Sequence, residues 1–315
     1  MSAHALPHPP GAAPAAPPRR RNSYAARAAR SEALTAYAFL APYLFVFLTF
    51  TVFAIGYTLY LSLTRYNLLR PPEFWGLEGY RRVLAEPLFL AKALPNTFKY
   101  VLVVVPCQTA LALVLAFALD QRLRFRRLFR TIYYLPSVTS SVVISLIFLW
   151  LFSAQGVINQ IFRLNINWLN DTAYAFPVIM LLNIFTTSGT LMLIFLAGLQ
   201  DIPTTLYEAA SIDGANKIQT FFYVTVPMLR PVVFFVVTVG VIGCFQVFDQ
   251  IFVMTNGGPL DSTTTIAYLI YKWAFRDTTI KMGQAAALSV ILTVIILVVT
   301  LIQRRMIEGG GNAGE

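Results

Sequence analysis

The sequence predicts an all-α, polytopic membrane protein with six transmembrane helices, and three observations carry that prediction. Only 12% of the 315 residues are charged while 57% are apolar, whereas a soluble domain needs about a quarter charged to clothe its surface. The uncharged runs are too long to alternate between a core and a polar shell, and they reach the ~20 residues that carry a helix across a bilayer. No run alternates with the two-residue period of a barrel strand, and an open strand edge finds no hydrogen-bond partner in lipid, so the spans are expected to be helical.

The elements follow in order. Residues 1–32 are rich in Ala, Pro and Arg and read as a disordered basic tail, because such a segment cannot bury a core. The transmembrane domain occupies 33–305, with uncharged runs at 33–63, 100–119, 131–162, 172–200, 231–248 and 282–303. The first run is far longer than the apolar core of a signal peptide and reads as a retained span. Pro42 and Pro106 fall within or near spans, where kinks are expected. Residues 306–315 form a short second tail.

Basic residues orient the spans. Arg19, Arg20, Arg21, Arg27 and Arg30 in the tail, and Arg122, Arg124, Arg126, Arg127 and Arg130 between the second and third spans, belong on the cytoplasmic side. An even number of spans then places both termini in the cytoplasm of a multi-pass plasma (inner) membrane protein. The formal charge of +10 is accounted for by this orientation and by anionic lipid, without nucleic acid.

Composition also excludes chemistry. The two histidines, His4 and His8, lie in the tail, so no catalytic triad and no zinc site is expected. Cys107 and Cys244 lie in apolar runs and are assigned neither a disulfide nor a redox role. The chain lacks a phosphate-binding P-loop, so it is expected to bind no cofactor of its own and to be no enzyme.

The segment from Asp201 to Arg230, on the expected cytoplasmic side, is the most informative. Thr205 followed by Glu208 has the spacing of a capping box, which starts a short helix. Asp213 and Gly214 end it, since glycine accepts the left-handed position after a helix. Asn216 with Gln219 offers a second helix start, and Phe221, Phe222 and Tyr223 precede Pro227. The expected shape is helix, sharp turn, helix.

The string E-A-A-S-I-D-G-A at Glu208 to Ala215, followed after eight residues by V-T-V-P ending at Pro227, resembles the EAA loop of ABC importer permeases. L-A-P-Y at Leu40, R-T-I-Y-Y-L-P at Arg130 and T-N-G-G-P at Thr255 are similar to landmarks of the carbohydrate-uptake branch, which handles maltose, lactose and glycerol 3-phosphate. The last resembles the first of two non-identical permeases.

This resemblance implies a type I importer permease fold, a second permease subunit, two cytoplasmic ATPase subunits that bind the ATP, and an external substrate-binding protein. It also implies that Glu208, Ala209, Ala210, Asp213, Gly214, Ala215 and Pro227 couple the spans to the ATPase.

A polar path is expected where the third, fourth and fifth spans face one another, because intramembrane polar groups face a cavity or a partner. Ser141, Asn183, Thr187, Thr190 and Gln246 are the expected sugar contacts, although Ser and Thr also bond their own helix carbonyls. The alternative reading is half of an ion-coupled secondary carrier, with Asp249 as its ion site.

Overall fold

The computed structural model describes residues 22–121, 124–277, 279 and 281–308. It divides into two compact units with the boundary between Tyr57 and Thr58. In the first unit, helix α1 (Asn22–Val46) passes through a π-helical turn at Phe47–Val52 into α2 (Phe53–Ser62). The helix thus begins at Asn22, inside the stretch expected to be tail, and Pro42 stands within it. The rest of that tail, with Arg19, Arg20 and Arg21, lies outside the described residues, as do Arg122 and residues 309–315.

The second unit takes in the last turn of α2, from Thr58, and then a two-stranded antiparallel hairpin, β1 (Thr64–Arg65) and β2 (Glu73–Phe74), which pairs Thr64 with Phe74 and Arg65 with Glu73. Helix α3 (Glu78–Ala85) and a π-helical turn lead into α4 (Leu94–Asp120). Then come α5 (Arg126–Val138), α6 (Ser141–Leu151), α7 (Val157–Phe162) and α8 (Ala175–Gln200). The segment 201–230 contains α9 (Thr204–Ile212), α10 (Lys217–Thr220) and α11 (Val226–Met228). The remaining helices are α12 (Arg230–Phe245), α13 (Asp249–Met254), α14 (Ile266–Tyr271) and α15 (Met282–Glu308).

Among the described residues, five helical runs are long and apolar enough to cross a membrane: Glu32–Ser62, Phe89–Asp120, Ala175–Gln200, Arg230–Met254 and Met282–Arg305. The sixth, expected as one continuous span over 131–162, is instead a bent pair in which α5 and α6 meet at 97°. Pro136 lies in the last turn of α5, and Thr139 and Ser140 take extended backbone angles. The Thr139 amide donates to the Pro136 carbonyl at 3.3 Å and its hydroxyl to the Leu135 carbonyl at 2.9 Å. These bonds occupy carbonyls that the broken helix would otherwise leave bare.

The core of the second unit forms two clusters. One gathers Tyr100, Phe176, Ile179, Phe245, Tyr268 and Trp273; the other joins Ala112 and Ala116 of α4 to Met192, Phe195 and Leu199 of α8 and to Leu229. Alanines one turn apart let α4 lie close along α8, the close approach that small residues permit between helices in lipid. Gly189 does the same for α5: a methyl group there would overlap the Tyr133 carbonyl oxygen.

The predicted turn at Asn256, Gly257, Gly258 and Pro259 is present, with positive φ at Asn256 and Gly257 and a cis Gly258–Pro259 bond. It is bolted down by buried hydroxyls: Thr263 donates to the Gly258 carbonyl at 2.8 Å and Thr264 to that of Gly257 at 3.2 Å. A side chain on Gly257 would run into Thr264 and Tyr268. The Asn96 amide donates to the Thr264 carbonyl at 3.0 Å, so the turn is anchored to the start of α4.

Candidate functional site

A cavity of about 360 Å³ opens among α4, the α5–α6 bend, α8 and α12. Ser141, Asn183, Thr187 and Thr190 all line it, so four of the five expected contacts converge. The bend explains how: by turning the chain at Thr139 and Ser140, it brings Ser137, Thr139 and Ser141 to one wall, opposite the polar face of α8. No lining residue is charged.

Several hydroxyls are spent on the helices themselves, as expected for Ser and Thr in apolar surroundings. Thr186 donates to the Leu182 carbonyl at 3.0 Å, Ser188 to that of Ile184, and Ser137 to that of Thr186 at 2.5 Å. Other groups retain capacity. Buried Ser141 Oγ has no hydrogen-bond partner among the described residues. Thr187 Oγ1 lies 2.7 Å from Gln108 Oε1 and 2.6 Å from the Asn183 carbonyl. A hydroxyl carries one proton, so Thr187 can donate to only one of these two acceptors at a time.

Gln246 is the exception among the expected contacts. Helix α12 ends at Phe245, and Gln246 is exposed in the break before α13. It lines a smaller adjoining hollow of about 280 Å³ with Asn183, Asp249 and Gln250. The span expected over 231–248 ends as a helix at Phe245, so Gln246 falls off the α12 face that lines the larger cavity. Gln250, beyond the break, lines both hollows.

Gln108 lies on α4, outside the third, fourth and fifth spans expected to form the polar path. Its signal was available: an amide in the middle of the apolar run 100–119. Its place in the wall depends on Gly240, where a methyl group would come within 2.6 Å of Gln108 Nε2.

The second feature is the elbow formed by α9 and α10. Its turn is a complete Schellman motif: Ala215 N–H donates to the Ala210 carbonyl at 2.9 Å and Gly214 N–H to that of Ser211 at 3.2 Å. Gly214 has φ of +76°, the left-handed conformation glycine accepts without strain. The Asn216–Gln219 capping box is also formed, with Gln219 N–H donating to Asn216 Oδ1 at 2.9 Å and Asn216 N–H to Gln219 Oε1 at 2.8 Å.

The expected Thr205–Glu208 box is not. Helix α9 begins one residue earlier, at Thr204, behind Pro203, and has no side-chain cap. With Thr205 inside the helix, its hydroxyl is no longer at the position from which a cap accepts.

Glu208, Ala209, Asp213 and Gly214 are exposed on the elbow, whereas Ala210 is buried and Ala215 and Pro227 are half-buried. The small face is therefore split, with Ala209 outward and Ala210 against the chain's own interior. Tyr207 Oη meets Thr225 Oγ1 at 3.2 Å in the π-helical turn Phe221–Thr225 that leads on to α11 and α12, and Phe221 of that turn packs edge-on against Phe117 of α4, 4.9 Å between ring centres. Beyond the exposed EAA residues stand large apolar side chains, Ile212 at 86% and Tyr223 at 80% exposure.

Residues 108–308 match the family described as the binding-protein-dependent transport system inner membrane component. The chain belongs to that family. It is 34% identical over 283 residues to the arabinooligosaccharides transport system permease protein AraP of Halalkalibacterium halodurans, covering 87% of each chain. It is likewise 34% identical over 275 residues to the lactose transport system permease protein LacF of Rhizobium radiobacter, covering 84% of this chain and 91% of that one.

In fold it is similar to a chain of the bacterial alginate ABC transporter solved in complex with an alginate pentasaccharide-bound periplasmic protein, with a TM-score of 0.78, 21% identity and coverage of 90% and 98%. The chain is thus a membrane-embedded ABC transporter permease, and the ion-coupled carrier reading gives way to it.

Proposed function

We propose that this chain is the permease subunit of an ATP-driven importer for an uncharged sugar or oligosaccharide handed over by an external binding protein. The observation that carries the substrate class is the cavity wall, built from the amides of Gln108, Asn183 and Gln250 and the hydroxyls of Ser141, Thr187 and Thr190 without a charged group. Amides and hydroxyls match the alternating donors and acceptors of sugar hydroxyls. A polyol phosphate would enter this wall without a counter-charge and lose its hydration uncompensated, so the neutral sugar is preferred. The relatives named for arabinooligosaccharides and lactose support the same class.

ATP hydrolysis is assigned to two partner ATPase subunits, and a second permease completes the path. The exposed Glu208, Ala209, Asp213 and Gly214 are the surface offered to the ATPase, while Ala210, Ala215 and Pro227 hold the elbow's shape. Closure of the ATPase pair moves the elbow, and the Tyr207–Thr225 and Phe221–Phe117 contacts pass that displacement to α12 and α4, which flank the cavity. The spans then alternate between two packings as largely rigid bodies.

Reconstitution of the complete transporter with its binding protein tests this reading. ATP-dependent uptake of a neutral oligosaccharide is expected, and uptake driven by an ion gradient without any ATPase would refute it.

A further inference from the structure

Far from the cavity in sequence, a hollow of about 190 Å³ lies between the β1–β2 hairpin and the start of α15. Its walls include three cations, Arg65, Arg82 and Lys281, with Asn67 and Gln284. Both guanidinium groups sit against one indole: the carbon of Arg82 lies 4.6 Å and that of Arg65 5.8 Å from the Trp75 ring centre. Trp75 thereby holds both charges at the wall of the same hollow.

The acids nearby do not neutralise this group. Arg82 bonds Glu78 at 3.3 Å, but Glu78 also faces Arg81 at 4.0 Å. Strand register sets Glu73 opposite Arg65, yet among the described residues neither Arg65 nor Lys281 has a carboxylate within 4 Å. Like charges gathered without acids repel one another, and an arrangement of this kind is relieved by an anion.

Depth identifies the anion's source. Helix α2 ends at Ser62, and α15 begins at Met282. Between them the hairpin lies directly on the helix ends: the Trp75 amide donates to the Leu63 carbonyl at 2.8 Å, Ser62 and Tyr80 hydroxyls meet at 2.7 Å, and Gly283 N–H donates to the Tyr66 carbonyl at 3.2 Å. Gly283 permits this crossing, since a methyl group there would overlap the Thr64 carbonyl. The hollow therefore sits where two spans leave the hydrocarbon, which is the level of phospholipid phosphates and of interfacial tryptophan. Leu69, Phe74 and Leu77, exposed on the same stretch, supply apolar contact beside it.

We propose that this hollow binds the phosphate of an anionic phospholipid headgroup, held by Arg65, Arg82 and Lys281. Guanidinium groups suit this ligand because their N–H donors match phosphate oxygens in pairs. A phosphatidylglycerol headgroup brings one net negative charge to the three cations, whereas phosphatidylethanolamine brings an ammonium that cancels its phosphate and opposes them. The site is independent of the sugar cavity and of the reading proposed for it.

The test uses the chain purified from its membrane with the subunits that accompany it. Native mass spectrometry should show phosphatidylglycerol retained over phosphatidylethanolamine, and Arg65→Gln with Lys281→Gln should lower that retention roughly tenfold or more, at about fivefold per cation near a membrane surface. Arg81→Gln, which removes a charge outside the hollow, should leave it unchanged.

Equal retention in the double variant, or equal loss in Arg81→Gln, would overturn the proposal. So would displacement of the lipid by millimolar inorganic phosphate, which would make a free anion the ligand. If the double variant does not assemble, photoactivatable phosphatidylglycerol on the wild-type complex decides: cross-links within residues 64–82 and 281–284 are expected, and cross-links confined to other segments contradict it.

Discussion

Thr187 of α8 and Gln108 of α4 stand 79 positions apart in the chain and meet at 2.7 Å on the wall of the cavity. The contact joins the two helices that pack most extensively in the second unit and leaves part of its hydrogen-bonding capacity unused. Replacing Thr187 by Val keeps the shape and removes the hydroxyl. Leaving buried Gln108 short of a partner costs ~1–3 kcal/mol, so sugar uptake by the reconstituted transporter should fall roughly tenfold or more while insertion into the membrane is normal.

Gly189→Ala should destabilise the chain, because the added methyl meets the backbone carbonyl of Tyr133, which cannot step aside as a side chain can. Overpacking of this kind costs ~1–3 kcal/mol, read as a lower melting temperature in detergent. Gly243→Ala, with nothing within 4 Å of the new group, should melt with the wild type.

The two capping motifs separate cleanly. Asn216→Ala removes an existing N-cap, worth ~1 kcal/mol, and should speed amide hydrogen exchange over residues 217–220. Thr205→Ala removes no cap and should leave exchange in α9 unchanged.

On the elbow, Glu208→Lys reverses an exposed charge, and Gly214→Asp forces a side chain onto a residue with φ of +76°. Both variants should insert and hydrolyse ATP with their partners yet fail to couple hydrolysis to uptake. Wild-type uptake by both would count against the elbow as the coupling element.

What was legible in the sequence was what short-range chemistry decides. Uncharged length gave the spans, and the Gly214 turn and the Asn216–Gln219 cap follow from residues that touch their own neighbours. Thr205 misled because its spacing to Glu208 fits a cap, while Pro203 starts the helix a residue earlier. The α5–α6 bend was hidden because a break at Thr139 and Ser140 adds no charge to an uncharged run. Gln108, Gln250 and the displaced Gln246 depend on how helices rotate against one another, which no single run of residues specifies.

The proposed role of this chain is to pass a sugar, under ATP control, through an uncharged cavity lined by hydroxyls and amides. Uptake of a labelled neutral oligosaccharide into liposomes bearing the complete transporter, with wild-type chain or Asn183→Ala, tests it most directly. ATP-dependent uptake should drop roughly tenfold in the variant, the scale of one or two lost buried hydrogen bonds, while ATP hydrolysis persists. Uptake at the wild-type rate by Asn183→Ala would contradict it.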